Sequence, residues 1–362
     1  MANAKYLLIG SIEAYSGKSA TILGIIPYLQ AKGLAIAYGK PLGISTSNNS
    51  AEMVEEDVRF IASALNLSKD RVNLPLLYLN SQTILQRLCG QDTTDYPRLL
   101  QQNIQQANAD LVILEGPATI WEGSLFALSA GQIAGLVDAH ILLVVRYNSL
   151  TLIDSLLAAK QYLGDRCLGV VINDIPFEEL ESVKNTIEPY LESQGIAVIG
   201  AIPKNNLLRS VSVREIAKQL DAKVLCRHDR LDLMVESLSI GAMNVNSALE
   251  YFRQRTNMAV VTGGDRAELQ MAALETSTQC LILTGNVPPQ PFILSRAEDL
   301  EVPVLSVDFD TLTTVEIVDR AFGQVRIQEL IKVNCIQQLM EKYFDFERLL
   351  QILSLESAIA QR

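Results

Sequence analysis

The 362-residue chain is poor in the residues on which several kinds of chemistry depend. It has two histidines, His140 and His228, and five cysteines (Cys89, Cys167, Cys226, Cys280 and Cys335) with no paired spacing. An odd, scattered set of thiols argues against a disulfide framework or a zinc site. His140 abuts the apolar run Ile141–Val145, where a structural role is the first expectation, so a Ser–His or Cys–His nucleophilic centre fits poorly. Basic charge is short as well: 30 lysines and arginines face 41 acidic residues, for a net charge of −11. Without a local Lys/Arg cluster, that balance excludes a general nucleic-acid binder, whose partner is itself a polyanion. No apolar run reaches the roughly 18–20 residues of a membrane span. Tyr6–Ile9 is also too short for the hydrophobic segment of a secretory signal. The expectation is a soluble, cytoplasmic protein without a membrane partner. Hydrophobic residues still make up 49% of the chain, enough for the cores of two ordinary domains.

What is present is an alternation of short apolar runs with helix-compatible segments. The strand-like runs are Tyr6–Ile9, Leu34–Tyr38, Leu111–Leu114, His140–Val145, Leu168–Ile172 and Ala197–Ala201. Helical patterns lie between them, through Glu52–Leu65, Gln82–Leu88, Pro97–Ala107, Leu150–Tyr162 and Glu178–Glu192. Continuous apolar strands joined by helices imply an α/β fold with a parallel sheet covered on both faces. In such sheets ligands sit beyond the carboxyl ends of the strands, so the residues after each strand carry the functional reading.

The first strand opens onto Gly10-Ser11-Ile12-Glu13-Ala14-Tyr15-Ser16-Gly17-Lys18-Ser19, followed by a helical run from Ala20. Strand, polar loop ending in Gly-Lys-Ser, then helix is the context of a phosphate-binding loop. Gly17 allows close backbone approach, Lys18 adds a charge, and Ser19 can ligate Mg²⁺ while the N–H groups of the helix start face the anion. The usual G-x-x-x-x-G-K spacing calls for glycine at position 12; that residue is Ile12, and the glycine falls at Gly10. Glu115-Gly116 after another strand puts a carboxylate where Mg²⁺ would sit, or simply caps the strand end. Lys40, before Pro41, is either a second cation at the same edge or an ordinary surface lysine. Asp57 lies in the acidic run Glu55-Glu56-Asp57, which by itself reads as a solvated helix face. Asn173 and Pro203 follow late strands and suit either a nucleobase edge or plain turn chemistry.

Together the loop, Lys40-Pro41, Glu115-Gly116 and Gly169–Asn173 resemble the dethiobiotin-synthetase-like branch of P-loop proteins, which has a longer phosphate loop. Within that branch the chain is most similar to the N-terminal region of long bacterial phosphate acetyltransferases, with Glu56-Asp57-Val58-Arg59 among the matching residues. The resemblance spans roughly residues 3–220. It implies ATP and Mg²⁺ as cofactors, with Glu13, Ser16, Gly17, Lys18 and Ser19 around the phosphates and Ser19, Asp57 and Glu115 around the metal. It also implies Asn173 and Pro203 near the adenine, and Lys40 beside Lys18 as a group that holds a reacting substrate.

Beyond residue 221 a second, smaller α/β segment is expected, through 345, followed by a helical tail over 346–362 that could dock on a partner subunit in a homo-oligomer. Three strands there end in Thr262-Gly263-Gly264-Asp265-Arg266, in Thr284-Gly285 and at Asp308, and Thr313-Thr314 open a helix. This segment resembles the DRTGG domain, which implies regulation by a nucleotide or small metabolite held at Thr262–Arg266 and Thr284-Gly285. The chain ends at Arg362, before the transferase region that the family pattern would place next, so acetyl transfer is not expected. The resulting expectation is an ATP- and Mg²⁺-binding regulatory protein with slow or no hydrolysis. The alternatives are an ATP-dependent carboxylate-activating ligase, and a degenerate phosphate loop kept as a dimerisation scaffold.

Overall fold

The computed structural model describes residues 5–44, 50–104, 109–323, 325 and 327–356, with backbone alone at 44 and 50–56. Its strands are β1 (Lys5–Gly10), β2 (Ile36–Gly39), β3 (Leu42–Ile44), β4 (Val72–Asn73), β5 (Leu77–Leu79), β6 (Leu111–Glu115), β7 (His140–Arg146), β8 (Cys167–Ile175) and β9 (Val198–Pro203). They are followed by β10 (Val211–Ser212), β11 (Lys223–Cys226), β12 (Met234–Val235), β13 (Ser237–Ile240), β14 (Met258–Gly263), β15 (Thr278–Thr284) and β16 (Val304–Ser306). The chain divides into two compact units, Met1–Lys204 with Ile327–Arg362, and Asn205–Arg326.

The first unit is built on a seven-stranded sheet in the order β4-β2-β6-β1-β7-β8-β9, every neighbouring pair parallel. The strands are buried on both faces because their runs of Leu, Ile and Val do not alternate with polar residues; Leu7, Leu8, Ile9 and Leu111–Leu114 are wholly inaccessible. β1 lies between β6 and β7, so its successors in the chain fall on both sides of it. That reversal opens a crevice at the carboxyl end of β1, and the loop after Gly10 occupies it. A short parallel pair, β3–β5, stands apart from this sheet.

The helix Lys18–Ala31 buries residues on nearly every side, from Thr21 and Ile22 through Ile26 and Leu29. One side rests on the sheet. The other is covered by the helix Leu330–Tyr343, close enough that a Cβ on Gly24 would lie 2.4 Å from Met340 Cγ. The following helix, Phe346–Ile352, stacks Phe346 on Tyr28 with ring centroids 3.9 Å apart. Asp345 N donates to Ile199 O at 2.7 Å, and Gly200 and Phe344 form an antiparallel bridge, so the returning chain protects the edge strand β9. Arg348 completes the attachment with a two-pronged ion pair to Glu192 at 2.6 and 2.7 Å. The described part of the tail thus docks on its own chain, where the sequence suggested a partner subunit. The compact units also part at 204/205 and 326/327, whereas the expected divisions were at 221 and 345.

One expected helix is broken. In place of a continuous 178–192 there is a 3₁₀ turn at Phe177–Glu179, a short α-turn, a π-turn over Val183–Ile187 and a helix Glu188–Ser193. Pro189 has no N–H for the carbonyl four residues back and would collide with it, and the widened π-turn relieves both problems. The expected ends of helix 97–107 and of the tail lie outside the described residues.

In the second unit the sheet order is β11-β16-β15-β14-β13, with β11 antiparallel and the others parallel. Strand alternation sends Met258, Val260, Leu281 and Leu283 into one core and Ala259, Val261, Cys280 and Ile282 into the other. A two-stranded antiparallel pair, β10–β12, belongs to the same unit. No helix among the described residues is long and apolar enough to cross a membrane.

Candidate nucleotide-phosphate site

The carboxyl ends of β1, β6, β7 and β8 present Gly10, Glu115, Arg146 and Asn173 side by side, with Ile9 opposite Glu115 and Arg146 opposite Asn173 in the registers. Gly116 lets β6 meet β1 closely: its N–H donates to Ile9 O at 2.9 Å, and a Cβ there would lie 3.0 Å from that oxygen. The loop from Ser11 to Gly17 closes over this edge. Tyr15 takes a left-handed φ of 55° and Gly17 a φ of 108°. For tyrosine that conformation costs about 1–2 kcal/mol and persists only where neighbours impose it.

The neighbours are identifiable. Arg146 N donates to Glu13 Oε1 at 2.8 Å, and the Arg146 guanidinium donates to Tyr15 O at 2.6 Å. Asn173 Nδ2 donates to Ser16 O at 2.9 Å and covers Gly17 so closely that a Cβ would lie 2.4 Å from it. Donation to a carbonyl fixes the amide orientation, since only the nitrogen can donate. Within the loop the Ser16 hydroxyl is buried and has no hydrogen-bond partner among the described residues. An unmet buried hydroxyl costs about 1–3 kcal/mol, which makes it a marker for a ligand that supplies the partner.

Lys18 begins the helix, is buried, and donates to Ala118 O at 3.2 Å. Glu115 is also buried: its Oε1 accepts from Lys40 Nζ at 2.9 Å and Ser19 Oγ at 3.1 Å, and its Oε2 accepts from the Tyr38 hydroxyl at 2.9 Å. Burial by itself would raise the Glu115 carboxyl, but the charge and hydrogen bond of Lys40, the Lys18 charge and the Tyr38 hydroxyl outweigh it and hold it below its ordinary value. Lys18 moves down from the ordinary lysine value because burial outweighs the pull of Glu115. Tyr38 is pushed well above the ordinary phenol value, first by burial and then by the Glu115 charge. The corner therefore holds an ionised carboxylate between two lysines, next to a hydroxyl at the start of a helix.

Glu13, Ser16, Gly17, Lys18, Ser19, Lys40, Glu115 and Asn173, all singled out from the sequence, thus meet at one edge. Asp57 lies on the helix Ser50–Ala64, where Oδ1 accepts from Gln328 Nε2 at 2.9 Å and its charge is felt at the Tyr38 hydroxyl. Pro203 is buried at the end of β9 opposite Ile175. His140 is exposed at the start of β7, at the opposite end from the phosphate loop, and not enclosed by apolar residues. Trp121, half-exposed, leans on Tyr162 with centroids 4.4 Å apart, and Glu122 accepts from Ala118 N at 2.8 Å. Among the described residues no three His, Cys, Asp or Glu side chains converge on a metal position. Mg²⁺ fits such a site through one or two carboxylates plus phosphate and water oxygens, the donor set that Ser19 and Glu115 begin. Tyr38, Arg146 and Gln328 were not anticipated.

In the second unit, Thr262, Gly263-Gly264 and Thr284-Gly285 do share the carboxyl edge of β14 and β15. Thr262 Oγ1 donates to Gly241 O at 3.0 Å, and Gln270 Nε2 donates to Gly263 O and Gly264 O at 2.8 and 3.0 Å. A Cβ on Gly264 would lie 2.0 Å from Val287 O, so this glycine makes room for the chain's own backbone. Asp265 sets its carboxylate against Gly263, and Asp265 and Arg266 are exposed. A carboxylate over the turn opposes an anion there. Thr284 Oγ1 shares a hydrogen bond with Thr311 Oγ1 at 3.0 Å, while Asp310 Oδ1 caps the next helix by accepting from Thr313 N at 3.0 Å.

A phosphate-loop fold of this kind, followed by a small α/β unit, defines the class of protein. Residues 5–212 match the family model described as an AAA domain, to which the chain belongs, and residues 215–321 match the DRTGG domain. A phosphate acetyltransferase of Synechocystis sp. is 25% identical over 369 residues, covering 96% of this chain and 51% of that protein. That of Nitratidesulfovibrio vulgaris is 24% identical over 365 residues, with 95% and 51% covered. The chain spans about half the length of the curated relatives it matches. Among solved structures, MinD of Aquifex aeolicus aligns with a TM-score of 0.34 at 15% identity, over 56% of this chain and 83% of that one. The CBS and DRTGG domains of Clostridium perfringens pyrophosphatase, solved with the activator diadenosine tetraphosphate, align with a TM-score of 0.29 at 18% identity, over 44% of this chain and 75% of that one.

Proposed function

We propose that the first unit binds ATP with Mg²⁺ and that the chain is a nucleotide-responsive regulatory protein, hydrolysing ATP slowly if at all. The observation that carries this reading is the buried, unpartnered Ser16 hydroxyl in the loop that leads directly into the buried Lys18. A phosphate oxygen would satisfy that hydroxyl, the N–H groups at the start of the helix Lys18–Ala31 would face the anion, and Lys18 would balance its charge. Ser19 and Glu115 are the residues that would hold Mg²⁺, which supplies charge neutralisation on the phosphates when bound. The second unit would bind a small metabolite or nucleotide, and the two sites are coupled only insofar as each ligand favours a different conformation. Calorimetry of ATP and ADP, with and without Mg²⁺, tests the first site on the wild type and on Lys18→Ala. Saturable binding in the micromolar range, Mg²⁺-dependent and lost in the variant, is expected; equal heats from both proteins would refute it.

Lys40 favours a second reading. Its ammonium lies 2.9 Å from Glu115, on the same carboxylate oxygen that accepts from the Ser19 hydroxyl. There it would stabilise the charge on a substrate carboxylate activated by ATP. ADP release that depends on an added carboxylic acid would support this ligase reading over the sensor.

A further inference from the structure

We propose that Arg146 is a positioning residue for the phosphate loop, supplying from the end of β7 the restraint that the missing glycine at position 12 would otherwise make unnecessary. The inference rests on the nucleotide-binding reading of the same loop. It comes from a set of contacts that no motif in the chain advertises.

The loop departs from the compact spacing, and Ile12 stands where the usual pattern has glycine. Its reversal is instead made at Tyr15, a side-chain-bearing residue in the left-handed region. Such a turn does not hold itself, and three contacts from neighbouring strand ends hold it. Two come from Arg146, through its backbone N–H to Glu13 Oε1, two residues before the strained position, and through its guanidinium to the carbonyl of Tyr15 itself. The third comes from Asn173, its register neighbour on β8, which takes Ser16 O. The Arg146 fork is itself held by Asp174, with Nε 3.6 Å from Oδ2, and that carboxylate is largely buried. Arg146 thus turns the Tyr15 carbonyl toward β7, as Asn173 turns the Ser16 carbonyl toward β8. Carbonyl groups turned that way leave the peptide N–H groups of the same turn facing the phosphate position, as an anion cradle requires. A lysine at 146 would keep one donor and the charge but lose the planar fork that reaches Tyr15 O and Asp174 together.

The role of Glu13 changes with this. Its carboxylate is a tether to the backbone of residue 146, a job that needs an acceptor and no charge. Glu13→Gln should then behave as wild type, while Glu13→Ala should resemble Arg146→Ala.

The test is binding of ADP and of adenosine to wild type, Arg146→Ala, Arg146→Lys, Glu13→Gln and Glu13→Ala, with thermal unfolding of each. Lost cradle geometry should weaken ADP at least tenfold in Arg146→Ala and Glu13→Ala, leave adenosine binding within twofold, and spare Glu13→Gln. Arg146→Lys should fall between. A general structural defect would instead lower ADP and adenosine binding together, and would overturn the proposal. So would unchanged ADP binding in Arg146→Ala. If the Arg146→Ala protein fails to fold, the contrast between Glu13→Gln and Glu13→Ala decides the matter by the same criteria. Absence of ADP binding to the wild type would refute the nucleotide reading itself, a result distinguishable from all of these.

Discussion

Replacing Glu115 by glutamine removes one charge from the corner while keeping its shape. The carboxylate is buried, with Lys40 Nζ at 2.9 Å and Ser19 Oγ at 3.1 Å on one oxygen and the Tyr38 hydroxyl at 2.9 Å on the other. A glutamine can present its oxygen to Lys40 and Ser19, while its amide donates to the Tyr38 oxygen and no longer accepts from the Tyr38 hydroxyl, so the shape of the corner survives and the main loss is electrostatic. At 2.9 Å and an effective dielectric near 20, the gross Lys40–Glu115 attraction is about 6 kcal/mol. Against it stands the cost of dehydrating the carboxylate, several kcal/mol, which the variant no longer bears. Removing one partner of a buried pair costs about 3–5 kcal/mol. We expect about 3, the low end, because Lys40 is partly exposed and can turn to water while Lys18 cannot.

The acid dependence follows from the same group. Glu115 titrates below its unfolded value, so its stabilising contribution is complete above the ordinary carboxylate range and is lost as pH falls through the folded value. Urea unfolding of wild type and Glu115→Gln, at neutral pH and in steps toward acid, should show the gap between them closing as pH falls. Adding Lys40→Met to Glu115→Gln should recover about 1 kcal/mol or more, since it removes a part-buried cation that no longer has the Glu115 charge to balance it. A neutral-pH difference under about 0.5 kcal/mol, or a gap that stays constant into acid, would refute the assignment of an ionised, buried carboxylate.

Phe346→Ala should destabilise the first unit by about 3–4 kcal/mol, because the ring is buried and stacked on Tyr28. Docking within one chain makes that loss independent of protein concentration; a midpoint that shifts with concentration in the wild type but not in the variant would point to a partner subunit. Gly264→Ala should cost the second unit about 2 kcal/mol, since the new Cβ meets the backbone carbonyl of Val287. Calorimetric unfolding that leaves the second unit's transition unmoved would contradict that packing.

Much of the fold was legible because the strands of the first sheet are buried on both faces and so carry unbroken apolar runs. β1, β6, β7 and β8 could be placed to within a few residues for that reason. β4, β11 and β13 could not, being short or half-exposed edge strands whose residues do not form such runs. The return of residues 327–356 to the first unit was invisible for a different cause. An amphipathic helix announces that it has a buried face, and nothing local says which surface receives it. Only Gly24, Tyr28 and Met340 together identify the receptor, and they are distant in sequence.

The candidate site divides along the same line between local and non-local signals. Gly17-Lys18-Ser19 and Glu115-Gly116 carry their chemistry in adjacent residues and could be read directly. Arg146 had a comparable signal, a charged side chain closing an apolar strand, but no glycine came after it and it belonged to no motif. The reasoning that selected Glu115, a charge delivered to the carboxyl edge of a parallel sheet, applies equally to Arg146 once β7 is known to lie beside β1. Strand order is what the linear sequence withholds, and with it the difference between a charge that merely ends a strand and one that reaches the phosphate loop. Gly263-Gly264 shows the converse: the resemblance implied a ligand at these residues, and in the structure Val287 and Asp265 lie in the space that the two glycines leave. A glycine reports that something comes close, and only the fold tells whether it is a ligand or the chain itself.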